Sequence, residues 1–207
     1  MPLTTDQLRG ISAGLTQEQV NHDWFSYAHA QAAEASILYN EYQGLSYTQV
    51  EYGILKGLKR EQVDNITCPY KLQGMVAGLN QEQVNKDWFS YGHAQAAEQD
   101  IDYETYNGLS NTQVECGILK GLKREQVAGL NYNQIVVMRR YQLPDATILK
   151  DIQDDGLLEQ TALEYLQKRS ERYTFATCHS RWAHTKDPSE TLGVLSKYLV
   201  RNIGEYL

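Results

Sequence analysis

Apolar positions along this chain recur with a spacing that is typical of short helices joined by tight turns. A glycine and a leucine are followed by three variable residues, then a glutamine, then a valine or isoleucine. Glycine accepts the left-handed conformation that ends a helix, and the leucine after it can pack back on that helix. The glutamine stands where a capping box places it, three residues after the cap of the next helix. Seven such strings begin at Gly14, Gly44, Gly57, Gly78, Gly108, Gly121 and Gly129.

The helices predicted between these joints account for most of the chain. Five of the joints have Thr, Ser or Asn at the cap position, whereas Lys59 and Lys123 lack a capping side chain, so a kink is expected at those two. A further helix is predicted after Asn131, then others from Pro144 to about residue 154, over residues 161–172 and from Ser189. No segment shows the alternation of a β-hairpin, so the predicted fold class is all-α. The earlier helices are predicted over residues 5–12, 17–42, 47–56, 60–67, 71–76, 81–106, 111–120 and 124–128.

A second, longer period of 64 residues contains the first. Residues 14–63 (copy one) and 78–127 (copy two) align without a gap, and all but 11 of the 50 aligned positions are identical. Repeats of this kind stack to bury a continuous core, so we expect a tandem helical repeat whose copies superpose closely. The predicted domains are a first unit over residues 1–71, a second over 72–141, and a C-terminal helical region over 142–207 packed on the repeats.

The long predicted helix of each copy has large aromatic residues on one side and alanines on the other. Trp24 and Trp88 lie at equivalent positions in the aromatic sector, so both are predicted to be largely buried. Gln31 and Gln95 lie in the same sector and should hydrogen-bond a backbone group or a tyrosine hydroxyl.

The differences between the copies concentrate at one end of the second long helix. Glu98, Asp100, Asp102 and Glu104 make that end acidic, whereas its counterpart in copy one is nearly neutral. These side chains are either merely solvated or complementary to a basic patch on a partner, whose association they would speed. They are the candidate binding residues.

The repeats show no constellation that predicts catalysis. Asp23, His29 and Glu34 recur in both copies, but on one helix His29 would point about 120° or more away from each of the other two. His29 is therefore interpreted as a packing histidine with one hydrogen bond. No metal-ligand spacing and no cofactor motif is present, so we predict no catalytic residue, no metal site and no cofactor.

One reactive cluster near the C-terminus leaves an enzyme open as the alternative. Cys178, His179 and His184 lie there, and a site between the repeats and the C-terminal helices could use them. Consecutive residues on a helix point about 100° apart, however, and a Cys–His pair normally converges from distant segments. An ordinary helix that packs Cys178 and Trp182 is the simpler interpretation.

Charge and composition exclude several other classes of function. The net charge is −7, which gives the chain no electrostatic reason to hold a phosphate backbone, so nucleic-acid binding is not expected. No apolar run approaches the length of a membrane span. The three cysteines, Cys68, Cys116 and Cys178, make no disulfide framework, which is typical of a reduced, cytosolic type of protein.

The joints also resemble segments of known proteins. Residues 14–20 read Gly-Leu-Thr-Gln-Glu-Gln-Val, which resembles the start of the first helix in repeats of the transcription-activator-like DNA-binding effectors. That likeness covers seven residues a copy, and the 64-residue unit, the missing base-reading loop and the acidic charge argue against DNA binding.

Over about residues 8–135 the chain also resembles helical, repeat-containing effectors that type IV secretion systems of intracellular bacterial pathogens inject into host cells. This resemblance transfers no site. It implies a protein that acts in the host cytosol on a host protein or on another effector. The predicted function is a non-enzymatic, helical-repeat protein-interaction module, with a protein as its partner.

Overall fold

The computed structural model describes the backbone of residues 2–182 and the side chains of residues 2–173. Every regular element in that range is helical, which confirms the all-α class. Copy one and the residues before it contain α1 (Thr5–Ser12), α2 (Gln17–Val20), α3 (Tyr27–Glu34), α4 (Tyr39–Tyr42), α5 (Tyr47–Tyr52) and α6 (Arg60–Val63). The next six are α7 (Pro69–Val76), α8 (Gln81–Val84), α9 (Tyr91–Glu98), α10 (Tyr103–Tyr106), α11 (Asn111–Cys116) and α12 (Arg124–Val127). The last described helices are α13 (Tyr132–Arg140), α14 (Thr147–Lys150) and α15 (Asp155–Trp182).

The duplication is repeated helix by helix. Each helix from α1 to α6 begins and ends 64 residues before its counterpart from α7 to α12, and the 3₁₀ turns Ile54–Lys56 and Ile118–Lys120 keep the same offset. The tandem helical repeat is therefore confirmed. The chain divides into two compact parts, one ending at Ile135 and the other beginning at Val136. The finer domain boundaries stay a prediction.

The glycine joints form as the sequence predicts. All seven motif glycines have a positive φ, between 68° and 100°. At Thr16, Ser46 and Ser110 the cap side chain accepts a hydrogen bond from the backbone N–H of the following glutamine, which completes the predicted capping boxes. The kinks expected at Lys59 and Lys123 are wrong, because α6 and α12 begin there. At Lys59 the Gln62 side chain accepts from the Lys59 backbone N–H at 2.8 Å, so half of the box is enough to restart a helix.

The long helices predicted over residues 17–42 and 81–106 are wrong, because each is three short helices. In copy one the first break follows α2, where the chain turns so that Phe25 packs against Gly10 of α1; a Cβ at Gly10 would lie 2.7 Å from the Phe25 ring. Ser26 then precedes α3, and its backbone N–H donates to His29 Nδ1 at 3.2 Å. Asparagine, aspartate and serine in this segment favour helix ends over helix interiors, a signal that the aromatic periodicity outweighed.

The second break follows α3, at a left-handed residue that is not glycine. Ser36 has φ 60°, and the N–H of Ile37 donates to the carbonyl of Ala32 at 3.0 Å, which is the bond of a Schellman motif. Copy two has the same turn, with Asp100 at φ 55°.

The longer helices of the repeats pack in chain order. α1 packs on α3, α3 on α5, α5 on α7, α7 on α9 and α9 on α11, so the contact between α5 and α7 joins the copies. The core between them includes Val50, Val63 and Leu72, none of which is exposed. Trp24 and Trp88 are equivalent but only partly buried, so the prediction that both are largely buried is wrong. The shift follows from the broken helix, because Phe25 and Phe89 take the deeper positions.

The second compact part begins with a joint that resembles those of the repeats. Gln142 stands one further offset of 64 residues after Gly78, and it has φ 48°. The N–H of Leu143 donates to the carbonyl of Met138 at 3.1 Å, the bond that Leu15 and Leu79 make in their own joints. The predicted helix to residue 154 is shortened to α14, whereas α15 covers the predicted helix at residues 161–172. The helix predicted from Ser189 lies outside the described residues.

Candidate protein-interaction surface

The four acidic candidate residues lie around a turn and not along one helix. Glu98 ends α9, Asp100 is the left-handed residue, Asp102 precedes α10 and Glu104 lies within it. All four are exposed, so solvation alone explains how the fold tolerates them. Acids at the start of α10 also complement the positive end of a helix, which gives Asp102 and Glu104 a local structural role.

A basic residue supports this turn from below. Arg124 Nη1 donates to the carbonyls of Glu104 at 3.2 Å and Asn107 at 2.7 Å, and Arg60 makes equivalent bonds to Asn40 and Gln43 in copy one. Sequence reasoning missed this role, although the recurrence of both arginines was a signal for it. Beside the turn lies an open groove of about 470 Å³ with both signs of charge, from Asp102 and Glu104 to Lys123 and Arg124.

Exposed tyrosines mark the starts of four helices that pack in succession. Tyr27, Tyr47 and Tyr91 are the first residues of α3, α5 and α9, and Tyr70 is the second residue of α7. Between 41% and 48% of each residue is exposed, although they belong to the largest apolar side chains of the chain. We call these four residues the tyrosine row. Sequence reasoning did not single them out, although each follows directly on a helix cap or on Pro69, where a side chain points away from the core.

Contacts between members show that the row is locally continuous. The rings of Tyr70 and Tyr91 lie 5.4 Å apart, with 58° between their planes. The pKa of Tyr47 is raised, first by the negative charge of Glu51 and then by burial and by the neighbouring Tyr52 and Tyr27. Gln31 and Gln95 each donate to the hydroxyl of the tyrosine one turn before, at 3.2 and 2.7 Å, which confirms the prediction for both glutamines.

The buried histidines are structural. His29 is fully buried; its Nε2 lies 3.0 Å from the Leu45 carbonyl, and its Nδ1 lies 2.7 Å from Ser26 Oγ. Because a carbonyl only accepts, Nε2 carries the proton and the ring is neutral. Burial lowers the pKa of both His29 and His93. The predicted packing role is confirmed, with two hydrogen bonds instead of one.

Buried tyrosine hydroxyls offer no chemistry either. Tyr42 and Tyr106 are fully buried, and neither hydroxyl has a hydrogen-bond partner among the residues with described side chains. Burial raises the pKa of each to about 12, so both stay protonated at neutral pH.

Within the described side chains, no group of three or more His, Cys, Asp or Glu residues could hold a metal ion. Cys178 and His179 belong to the last turns of α15, but their side chains lie outside the described range, as does His184 entirely. Of the helices in residues 2–182, none is both long and apolar enough to cross a membrane.

Comparison of the chain with protein-family models, with curated proteins and with solved structures found no match.

Proposed function

We propose that this chain is a non-enzymatic, helical-repeat module that binds a protein partner through the surface of its repeats. The observation that supports the proposal is the tyrosine row. Tyrosine is enriched at protein interfaces and among the residues that contribute most to binding, because it adds large contact area and has few rotatable bonds. Four of them recur at helix starts in the repeats, where nothing in the fold requires an exposed aromatic ring.

The acidic residues beside the row fit the same role. Glu98, Asp100, Asp102 and Glu104 add negative charge to a chain whose net charge is already −7. Such a surface would steer a basic partner during diffusion and raise the association rate more than the affinity.

The proposal is tested by differential capture from a host-cell lysate, with the intact protein immobilised. A variant with Tyr27, Tyr47, Tyr70 and Tyr91 changed to Ser should lose the partner that the unchanged protein retains. The matched control changes Leu157 and Leu163 of α15 to Ser; these are also large and half exposed, at 50% and 53%. Equal capture by both variants, with circular dichroism showing intact helices, would refute a role for the row.

The cellular setting that we propose is that of an effector injected into a host cell, acting on a host protein or on another effector. Its support is the likeness of the joints to those of type IV secretion effectors. Fusion to a reporter enzyme that is active only in host cytosol tests it: signal from a secretion-competent bacterium and none from a secretion-deficient strain is the expected result. Equal signal from both strains would contradict it.

A further inference from the structure

Copy one contains a complete binding site for an arginine side chain. The guanidinium of Arg9, from α1, lies over the ring of Tyr27 with 4.7 Å to the ring centroid. Its Nε donates to Glu34 Oε1 at 2.9 Å and its Nη2 donates to Glu34 Oε2 at 2.7 Å. Tyr27 and Glu34 are the first and last residues of α3, so the planar guanidinium bridges the helix from one end to the other. This combination of a ring face and a two-point carboxylate contact favours arginine over lysine.

Copy two keeps the receptor half of this site. Tyr91 and Glu98 are the first and last residues of α9, whose sequence differs from that of α3 only at Gly92. Both side chains are exposed, and Gln95 holds the Tyr91 hydroxyl as Gln31 holds that of Tyr27. The conformation and the chemistry of the two helices are therefore the same.

The arginine itself is not repeated. Gln73 of α7 stands at the position of Arg9, and no cationic side chain within the described range pairs with Glu98. The Gln73 side-chain oxygen is buried and has no hydrogen-bond partner there. Three residues earlier, Tyr70 replaces Asp6, so a second aromatic ring lies beside Tyr91 where copy one has a carboxylate. Two tilted rings and a carboxylate suit a cation better than one ring does.

We propose that Tyr70, Tyr91 and Glu98 bind an arginine side chain of the protein partner. This inference rests on the proposed function, which it deepens by naming the group that the surface recognises. The intramolecular contact of Arg9 supplies the template, since it shows that the same two residues on an identical turn pattern hold a guanidinium. Substitution of Arg9 by Gln73 leaves that receptor to a group from outside the repeats.

The test uses N-acetyl-arginine amide as the probe, titrated into the full-length, ¹⁵N-labelled protein. Saturable shifts are expected for backbone amides near Tyr91 and Glu98 and not for those of α3, where Arg9 occupies the site. N-acetyl-lysine amide should bind several-fold more weakly, because it cannot make the two-point contact. Shifts that rise linearly with probe, or that are equal for both probes, would overturn the proposal.

Two variants sharpen the result. Gln73→Arg should fill the site from within and abolish the saturable shifts, and Glu98→Gln should do the same by removing the carboxylate. Glu125→Gln, an equal change of charge at another exposed glutamate, should leave them unchanged. Unaltered titration of Gln73→Arg would refute the site. The probe needs no partner, so a site that binds arginine in a protein that captures nothing would contradict the proposed function alone.

Discussion

The glutamine of the joints does more than cap its own helix. Gln49 is 5% exposed; its Oε1 accepts from the Ser46 N–H at 2.9 Å, and its Nε2 donates to the Val63 carbonyl at 2.7 Å and the Asp64 carbonyl at 3.1 Å. Gln7 and Gln113 also donate to a carbonyl further along the chain. Because a glutamate accepts as a cap but cannot donate, this second bond explains why glutamine stands there.

Gln49→Glu is therefore expected to lower the free energy of unfolding by about 2–4 kcal/mol, because a buried carboxylate would face two carbonyl oxygens. Urea denaturation measures the change. The control is Gln19→Glu, since Gln19 is partly exposed and caps Thr16 without a second bond in the described structure. That variant should change stability by less than about 0.5 kcal/mol. Equal losses in both variants would contradict the bridging role.

The two buried histidines make stability depend on pH. Burial lowers the pKa of His29 and His93 in the folded state below the ordinary value of 6.5. The unfolded chain then binds more protons as the pH falls through that value, so the free energy of unfolding decreases below about pH 6.5, by at most about 1.4 kcal/mol per pH unit for each histidine.

Unfolding in urea at pH 7.5 and at pH 5.5 checks this expectation. A double variant, His29→Gln and His93→Gln, should lose most of the difference between the two pH values. His22→Lys should keep it, because His22 is exposed and copy two already has Lys86 there. An unchanged pH dependence in the double variant would place the effect on other groups.

At the scale of the element, the joints differ in how well the left-handed residue suits its conformation. Gly14 has φ 100°, and a Cβ there would meet no atom within 4 Å, so its cost would be conformational only. Ser36 occupies the same kind of conformation at φ 60° with a side chain. A residue other than glycine pays about 1 kcal/mol or more there.

Ser36→Gly should thus raise the free energy of unfolding by about 0.5–1 kcal/mol, less than the full penalty because glycine loses more entropy on folding. Gly14→Ala should lower it by about 1 kcal/mol. Thermal unfolding followed by circular dichroism compares the two. Destabilisation by Ser36→Gly would show that the serine side chain makes a contact that outweighs its conformation.

At the scale of the whole molecule, the prediction concerns association and not stability. Changing Asp100, Asp102 and Glu104 to Lys should slow binding to the captured partner and flatten its dependence on salt, because these exposed charges act through long-range attraction. Stopped-flow or surface-based kinetics at several ionic strengths measure both. Unchanged kinetics would leave the acidic turn as solvated backbone.

The same kinetic assay separates the interaction module from the enzyme alternative. Cys178→Ser and His179→Ala should bind the partner as the unchanged protein does. Loss of function in either variant, with the fold intact, would favour the enzyme.

The local features of this fold were readable from the sequence alone. Helix caps and left-handed glycines depend on residues within a few positions of each other, so the joints at Gly14 and its six counterparts, the class of fold and the 64-residue repeat were all predictable. The acidic candidates were correctly placed in copy two, but as a helix end, because periodicity in a window cannot detect that Ser26 and Ser36 interrupt it.

What the tertiary structure alone decided depends on which residues meet across the chain. Phe25 turns toward Gly10 and leaves Trp24 only partly buried, and the packing order of the helices puts tyrosines on the surface at their starts. Arg9 and Glu34 are 25 positions apart, so their ion pair, and the change to Gln73 in copy two, acquire meaning only once α1 packs on α3. Periodicity reports a side of one helix, whereas burial and pairing are properties of two elements in contact.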